Sequence, residues 1–254
     1  MDIFQAALLG IVEGVTEFLP ISSTGHLILT SELLGLPETE FLKSFEVVIQ
    51  LGAILAVTTL YWRRLLFDRA MMQRIIVALI PALGVGYLFY ANIRKLLDSE
   101  LTVVISLFLG GVVLILFERF RTVPEQPIEL DGISYRQALA IGFTQALSVV
   151  PGVSRAGATI VGGLFTGLSR KAAVEFSFLL GVPTMVAATT LDVYKNYATF
   201  SLENVQSLVV GLLVSFFVAL FAIKFLLRFV QSHTFVAFGV YRIVIAILFA
   251  LIIL

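Results

Sequence analysis

The stretch QAALLGIVEGVTEFLPISSTGH, Gln5 to His26, returns later in the chain as QALAIGFTQALSVVPGVSRAGA, Gln137 to Ala158. Each copy is a polar, glycine-punctuated segment set in apolar sequence, and each is broken near its centre by a proline, Pro20 or Pro151. Their chemistry is complementary. The first brings Glu13, Glu17, the hydroxyls of Ser22, Ser23 and Thr24, and His26; the second brings Gln145, Ser148, Ser154 and Arg155. The runs flanking each proline are too short to cross ~30 Å of hydrocarbon alone, so both segments read as re-entrant helical hairpins, over about 3–35 and 137–166.

The surrounding composition names the solvent. Hydrophobic residues make up 59% of the 254 and charged residues only 13%, with a mean hydropathy of +1.03, against about 25% charged residues in an ordinary globular domain. An integral membrane protein is expected, one membrane domain over 1–254. The zero net charge carries no nucleic-acid signature. Without cysteine there is neither a disulfide nor a thiolate metal site, and two histidines leave little imidazole chemistry. The N-terminus MDIFQAALLG lacks a basic region and a small-residue cleavage site, and reads as retained membrane sequence. Apolar runs near ~20 residues favour helices over the ~10-residue alternating strands of a barrel. The fold class is therefore all-α, with six predicted spans at 44–61, 75–91, 101–118, 174–191, 205–223 and 234–254.

The duplication reaches past the hairpins. FEVVIQLGAILAVTTL, from Phe45, aligns with VEFSFLLGVPTMVAATTL, from Val174, through Glu46/Glu175 and Gly52/Gly181. TVVISLFLGGVVLILF, from Thr102, aligns with TFVAFGVYRIVIAILF, from Thr234, at a similar offset of about 130 residues. Two internal repeats, about 1–120 and 133–254, follow. Three spans per repeat is an odd number, so the second copy starts on the opposite face: an inverted-topology repeat, whose site belongs near the midplane where the broken elements meet.

Loop charge sets an orientation. Arg63, Arg64, Arg69, Arg74, Arg119, Arg121, Arg136, Arg170, Lys171, Lys224 and Arg228 fall on one side, against Lys43, Arg94, Lys95 and Lys195 on the other. Excess lysine and arginine marks the cytoplasmic face. Both termini and the first hairpin then face outward, while Arg155 and Arg242 sit within membrane segments, Arg242 with no evident partner.

Glu13 and Glu17 are spaced i, i+4, which stacks two carboxylates on one helical face and calls for compensation. A hard divalent cation, Mg²⁺ or Ca²⁺, is the simplest compensator, and it also suits phosphate oxygens. Ser22, Ser23 and Thr24, followed by Gly25, open a second half-helix whose free N–H groups suit an anion. Ser154 and Arg155 stand at the matching point, and a guanidinium can grip phosphate oxygens in pairs. Ordinary helix capping is the competing role for these hydroxyls. His26 could serve as nucleophile, base or acid. Glu46 and Glu175 fit helix-start roles as well as site roles, and His233, in a short loop, fits a structural role.

At EGVTEFLPISSTGH (Glu13 to His26), PGVSRAGATI (Pro151 to Ile160) and FEVVIQLGAILAV (Phe45 to Val57) the chain resembles the undecaprenyl-pyrophosphate phosphatase family, the bacitracin-resistance proteins. The resemblance covers nearly the whole chain. It implies removal of the terminal phosphate from a long-chain polyprenyl pyrophosphate, recycling the lipid carrier for cell-wall synthesis and conferring bacitracin resistance. It also implies a bacterial plasma-membrane protein with an outward-facing, divalent-metal-dependent site. By the same resemblance Glu13 and Glu17 are the acidic pair for metal and for water or proton handling. Ser23 and His26 are candidates for nucleophile or acid/base, and Arg155 beside Ser154 clamps the pyrophosphate. Whether serine, histidine or water attacks phosphorus stays open.

Two other readings compete. Ser23-Thr24-Gly25-His26 looks like the short motif of lipid phosphatases with a histidine nucleophile, but those need a second histidine beside an aspartate, and His233 has no acidic neighbour. A polyprenyl-phosphate transporter or flippase would share the inverted repeat, yet would not need the acidic pair with His26. Small residues such as Gly110-Gly111 serve packing within one chain or between copies of a homodimer, and the sequence does not choose.

Overall fold

The computed structural model describes residues 1–89, 99–196 and 202–253. Arg94 and Lys95, which entered the loop-charge comparison, and the last residues of the spans predicted over 75–91 and 234–254 lie outside them. In chain order the helices are α1 (Ile3–Thr16), α2 (Ser23–Leu33), α3 (Glu40–Phe67), α4 (Arg69–Leu88), α5 (Glu100–Phe120), α6 (Tyr135–Ala146), α7 (Arg155–Phe165), α8 (Arg170–Asn196), α9 (Leu202–Ser232) and α10 (Val236–Ile253), with 3₁₀ turns at Leu130–Gly132 and Leu147–Val149. No strand occurs among the described residues, only an isolated bridge between Ile128 and Leu168.

Capping chemistry sets where the helices begin. Asp2 accepts the Gln5 N–H at 2.7 Å while the Gln5 side chain accepts the Asp2 N–H at 2.9 Å, a reciprocal box that opens α1. Ser134 and Gln137 build the same box at the start of α6. Thr39, Asp68 and Ser99 cap α3, α4 and α5 with single side-chain bonds. Where α3 meets α4, Arg64 pairs with both Asp68 and Asp131, and hydrogen bonding from that guanidinium holds the Asp131 carboxyl below the usual carboxylate range.

Among the described residues five helices are long and apolar enough to cross a membrane: α3, α4, α5, α8 and, over Asn204–Ser232, α9. The sixth predicted span, 234–254, contains α10, Val236–Ile253, an apolar helix of 18 residues that is shorter than the other five. At 1.5 Å per residue such a helix reaches only about 27 Å. By contrast α3 and α9, at 28 and 31 residues, reach ~42–46 Å and extend past the hydrocarbon. The chain is thus an all-α, multi-pass membrane protein. Its large exposed apolar side chains, among them Leu83, Tyr87, Phe108, Phe217 and Phe221, are at home against lipid rather than water.

Packing couples the two ends of the chain. α1 packs along α9 and α6 packs along α4, while α3 meets α8 and α5 meets α10. Since lipid is as apolar as leucine, such contacts depend on close approach. An added Cβ at Gly14 would lie 2.7 Å from the Ser215 carbonyl oxygen on α9, and one at Gly142 on α6 would overlap the Ala78 backbone on α4.

The two short helix pairs share an unusual turn. α1 ends at Thr16, with Glu17 as a helical cap, four residues earlier than the proline that the sequence suggests as its stop. A proline disfavours helical geometry at the residue before it, and here the turn takes up the whole of 17–21. Ser22 and Ser154, which open α2 and α7, are the only described non-glycine residues with positive φ, at 71° and 74°. Such backbone costs energy and persists only where its surroundings enforce it.

Gly142→Ala is expected to destabilise the protein by about 1–3 kcal/mol, because the backbone it meets cannot yield. Thermal unfolding of the purified variant in detergent measures this, and an unchanged midpoint would refute the close-packing account.

Candidate functional site

Glu17 and Arg155 form the centre of the site, and they come from the two different helix breaks. Glu17, the cap of α1, accepts Arg155 Nη2 on Oε1 at 2.7 Å and Ser23 Oγ on Oε2 at 2.6 Å. The ion pair is nearly dry, with side-chain exposures of 11% for Arg155 and 5% for Glu17. Arg155 Nη1 donates to the Ser177 carbonyl at 2.9 Å, and the guanidinium lies over the Phe18 ring at 5.9 Å. Gly181 makes this possible, since a Cβ there would press on the guanidinium. The repeat marker Gly52/Gly181 therefore has a packing meaning that spacing alone does not reveal.

The two break serines differ. Ser154 Oγ accepts the Gly157 N–H at 3.0 Å and so caps α7, whereas Ser22 makes no side-chain cap on α2. The Ser22 carbonyl is turned instead onto His26, whose Nδ1 lies 2.7 Å away. A carbonyl only accepts, so Nδ1 carries the proton, and Nε2 of the neutral ring accepts from Tyr241 Oη at 2.9 Å. The His26 and Tyr241 rings are nearly parallel, 5.5 Å apart.

Glu13 is completely buried and neither of its carboxylate oxygens has a hydrogen-bond partner. One turn away, Glu17 has both oxygens engaged. The family resemblance implies a divalent cation, and the fit can be tested here: an orphaned carboxylate beside a second carboxylate is a hard oxygen donor set of the kind Mg²⁺ or Ca²⁺ accepts. Glu13 offers two free oxygens to such an ion, while among the described residues no group of three or more acidic or histidine side chains stands close enough to hold one.

A cavity of about 970 Å³ opens in front of this cluster. Its polar lining includes Glu17, Ser22, Ser23, Thr24, Gln145, Ser148, Ser154 and Arg155, together with Gln50, Thr184 and Lys195; its apolar lining comes largely from α4 and α8, through Leu79, Ala82, Leu83, Ala187, Ala188 and Leu191. Of the sequence-predicted site residues, Glu17, Ser22, Ser23, Thr24, Ser154 and Arg155 line it together. Glu13 and His26 do not line it and stand behind Glu17 and Ser22. Elsewhere Glu46 accepts from Ser31 Oγ, Glu175 accepts from Tyr61 Oη, and His233 stacks on Phe229. Sequence reasoning gave no role to Tyr241, Ser177 or Gly181, each of which touches the site from a distant helix. Gln145, noticed only as part of the second copy, proves to be a cavity wall.

The fold is thus a multi-pass membrane protein in which carboxylate, hydroxyl and guanidinium, gathered from two broken helices, share a largely apolar cavity. The chain belongs to the bacitracin resistance protein BacA family, whose pattern matches residues 6–248. It is 51% identical over 250 residues to an undecaprenyl-diphosphatase of Wolinella succinogenes, covering 98% of this chain and 97% of that one. It is 52% identical to an undecaprenyl-diphosphatase of Sulfurihydrogenibium, covering 99% of each, and 48% identical to one of Aquifex aeolicus, covering 98% of each.

Removing one partner of a buried ion pair strands the other, at about 3–5 kcal/mol. Arg155→Met alone should therefore destabilise the protein, and adding Glu17→Gln should recover most of that loss. A denaturation double-mutant cycle checks this, and additive effects would exclude the coupling.

Proposed function

We propose that the chain is an undecaprenyl-diphosphatase, a hydrolase that releases the terminal phosphate of undecaprenyl pyrophosphate, recycles the lipid carrier for cell-wall synthesis and thereby supports bacitracin resistance. The observation that carries the reading is Glu17 bridging Ser23 and Arg155 in a cavity whose lining is largely apolar. The diphosphate lies against Arg155, Ser154 and the uncapped start of α2, where N–H groups, hydroxyls and a guanidinium favour phosphate oxygens. The polyprenyl tail runs along α4 and α8.

Each residue has a task. Arg155 clamps the phosphates and offsets charge gathering on the transferred phosphoryl. Glu17, already bonded to Ser23 Oγ–H, is placed to take a proton from that hydroxyl or from a water in its position. Ser23 lines the cavity and His26 does not, which favours Ser23 or water over His26 as the attacking group. His26 instead holds the Ser22 carbonyl and with it the strained turn. Glu13 and Glu17 would hold a divalent cation, Mg²⁺ or Ca²⁺, which when bound neutralises phosphate charge. The Glu17–Ser23 pairing also argues for chemistry over the transporter reading, since a carrier needs an anion site but no activated hydroxyl.

The architecture is proposed as an inverted repeat of two halves, about 1–120 and 133–254, each with a re-entrant hairpin. The reading is supported by the matched capping boxes, the matched positive-φ serines and the reciprocal packing of α1 on α9 and α6 on α4. The charge asymmetry of the loops supports a plasma-membrane orientation with termini and site outward.

Purified protein in detergent is expected to release phosphate from a long-chain polyprenyl pyrophosphate with Mg²⁺ or Ca²⁺, and not with chelator. Glu17→Gln, Ser23→Ala and Arg155→Ala should each lower kcat/KM by roughly a hundredfold or more, and His233→Ala should leave it unchanged. Full activity in Arg155→Ala would remove the assigned site, and no release by the wild type would remove the function.

Orientation has its own test. A cysteine placed at Leu66 should react with an impermeant thiol reagent from the cytoplasmic side, and one at Glu38 from the outside. The reverse pattern overturns the topology.

A further inference from the structure

Arg242, on α10, is the largest fully buried side chain, 1% exposed. None of the ion pairs among the described residues includes it. Its five N–H groups go to five backbone carbonyls instead. Nε donates to Leu107 at 3.2 Å, Nη1 to Pro20 at 3.2 Å and Val153 at 2.9 Å, and Nη2 to Ser106 at 3.0 Å and Gly152 at 2.9 Å. Five donors are all that a guanidinium has. Two of the acceptors lie on α5. The other three lie in the two helix breaks, Pro20 in the first and Gly152 and Val153 in the second, where no helical ladder reaches and where hydrocarbon offers no water. Gly110 provides the space, because a Cβ there would overlap the guanidinium.

We propose that Arg242 is a positioning residue for the reaction: one side chain ties both helix breaks to α5 and sets the backbone from which Ser22, Ser23, Ser154 and Arg155 face the cavity. Arg242 does not line the cavity, so it acts through the breaks and not on the substrate. Its hold on the second break is directional. The peptides are trans, so a Val153 carbonyl held by Arg242 turns the Ser154 N–H away from the guanidinium, and Ser154 is one of the cavity-lining residues. The preceding residue, Tyr241, meets His26. Consecutive residues of α10 thus grip the first break at Pro20 and at the histidine bonded to Ser22. A lysine in place of Arg242 has three donors and no fork geometry, and cannot hold both breaks and α5 together.

The inference rests on the phosphatase reading for its kinetic arm and is independent of it in its exchange arm. Arg242→Lys is compared with Gly239→Ala, which loosens the α5–α10 contact, a Cβ at Gly239 lying 2.7 Å from the Gly111 oxygen, without touching the guanidinium. Amide hydrogen exchange by mass spectrometry should quicken in Arg242→Lys at both breaks, in peptides covering residues 19–22 and 150–154, and in Gly239→Ala at neither. Phosphate release per folded protein should drop about tenfold or more in kcat for Arg242→Lys, as misplacement of reacting groups does, with KM nearly unchanged. Gly239→Ala should keep wild-type kcat while melting earlier. If Arg242→Lys does not accumulate, Gly110→Ala replaces it, since it keeps the guanidinium and displaces it, and the same two readouts apply. Unchanged exchange at either break, or equal loss of kcat in Gly239→Ala, overturns the inference. Absence of phosphate release by the wild type would remove the function and leave the exchange result to decide the positioning role.

Discussion

The buried pair Glu17–Arg155 is the constraint around which the rest of the molecule is arranged. In hydrocarbon a charge is tolerated only where it is paired or faces a water-filled space, and a dry ion pair repays its desolvation only when its remaining lone pairs and protons are also used. Here most are. The second Glu17 oxygen takes Ser23, and the far side of the Arg155 guanidinium takes the Ser177 carbonyl. Because Glu17 caps α1 and Arg155 opens α7, satisfying the pair brings both helix breaks to one point. Gly181 serves the same end by leaving room for the guanidinium.

Backbone satisfaction is the second demand, and it accounts for much of what surrounds the pair. A helix broken inside a membrane leaves carbonyls and N–H groups that neither lipid nor ladder can bond. Three of the break carbonyls, those of Pro20, Gly152 and Val153, are met from outside their own segments, by Arg242. The Ser22 carbonyl is met by His26. On the N–H side, Ser154 Oγ caps α7 while Ser22 leaves the start of α2 without a side-chain cap. That asymmetry between otherwise matched turns leaves one half-helix end open at the cavity, which is what an anion site requires.

Much of this was legible in the sequence. Composition named the membrane, the proline-broken copies located the two helix breaks, and the i, i+4 spacing of Glu13 and Glu17 placed both on one face. Five of the six expected spans coincide with long apolar helices. The sixth holds α10, which begins two residues later than expected because hydropathy gives no signal for where a helix starts, so Thr234 and Phe235, inside the apolar stretch, lie before it. What could not be read were long-range partners. Tyr241 and Arg242 lie more than 200 positions from His26 and Pro20, and a carbonyl acceptor leaves no trace in side-chain identity. Arg242 therefore looked like a membrane arginine with no evident partner, whereas the main chain itself supplies its partners.

Those partners also bear on the charge of the site. Arg155 is committed to Glu17 and Arg242 to main-chain carbonyls, so neither is paired with Glu13. Glu13 keeps two oxygens without a donor, while Glu17 is fully engaged with its neighbours. Under the proposed function a diphosphate entering against Arg155 would add negative charge to a cavity whose other lining cation is Lys195. In a low-dielectric setting that excess is costly, and a divalent cation at the orphaned carboxylate would remove it. Under the proposed function, then, a divalent cation held at Glu13 would couple the charge of the metal to that of the substrate.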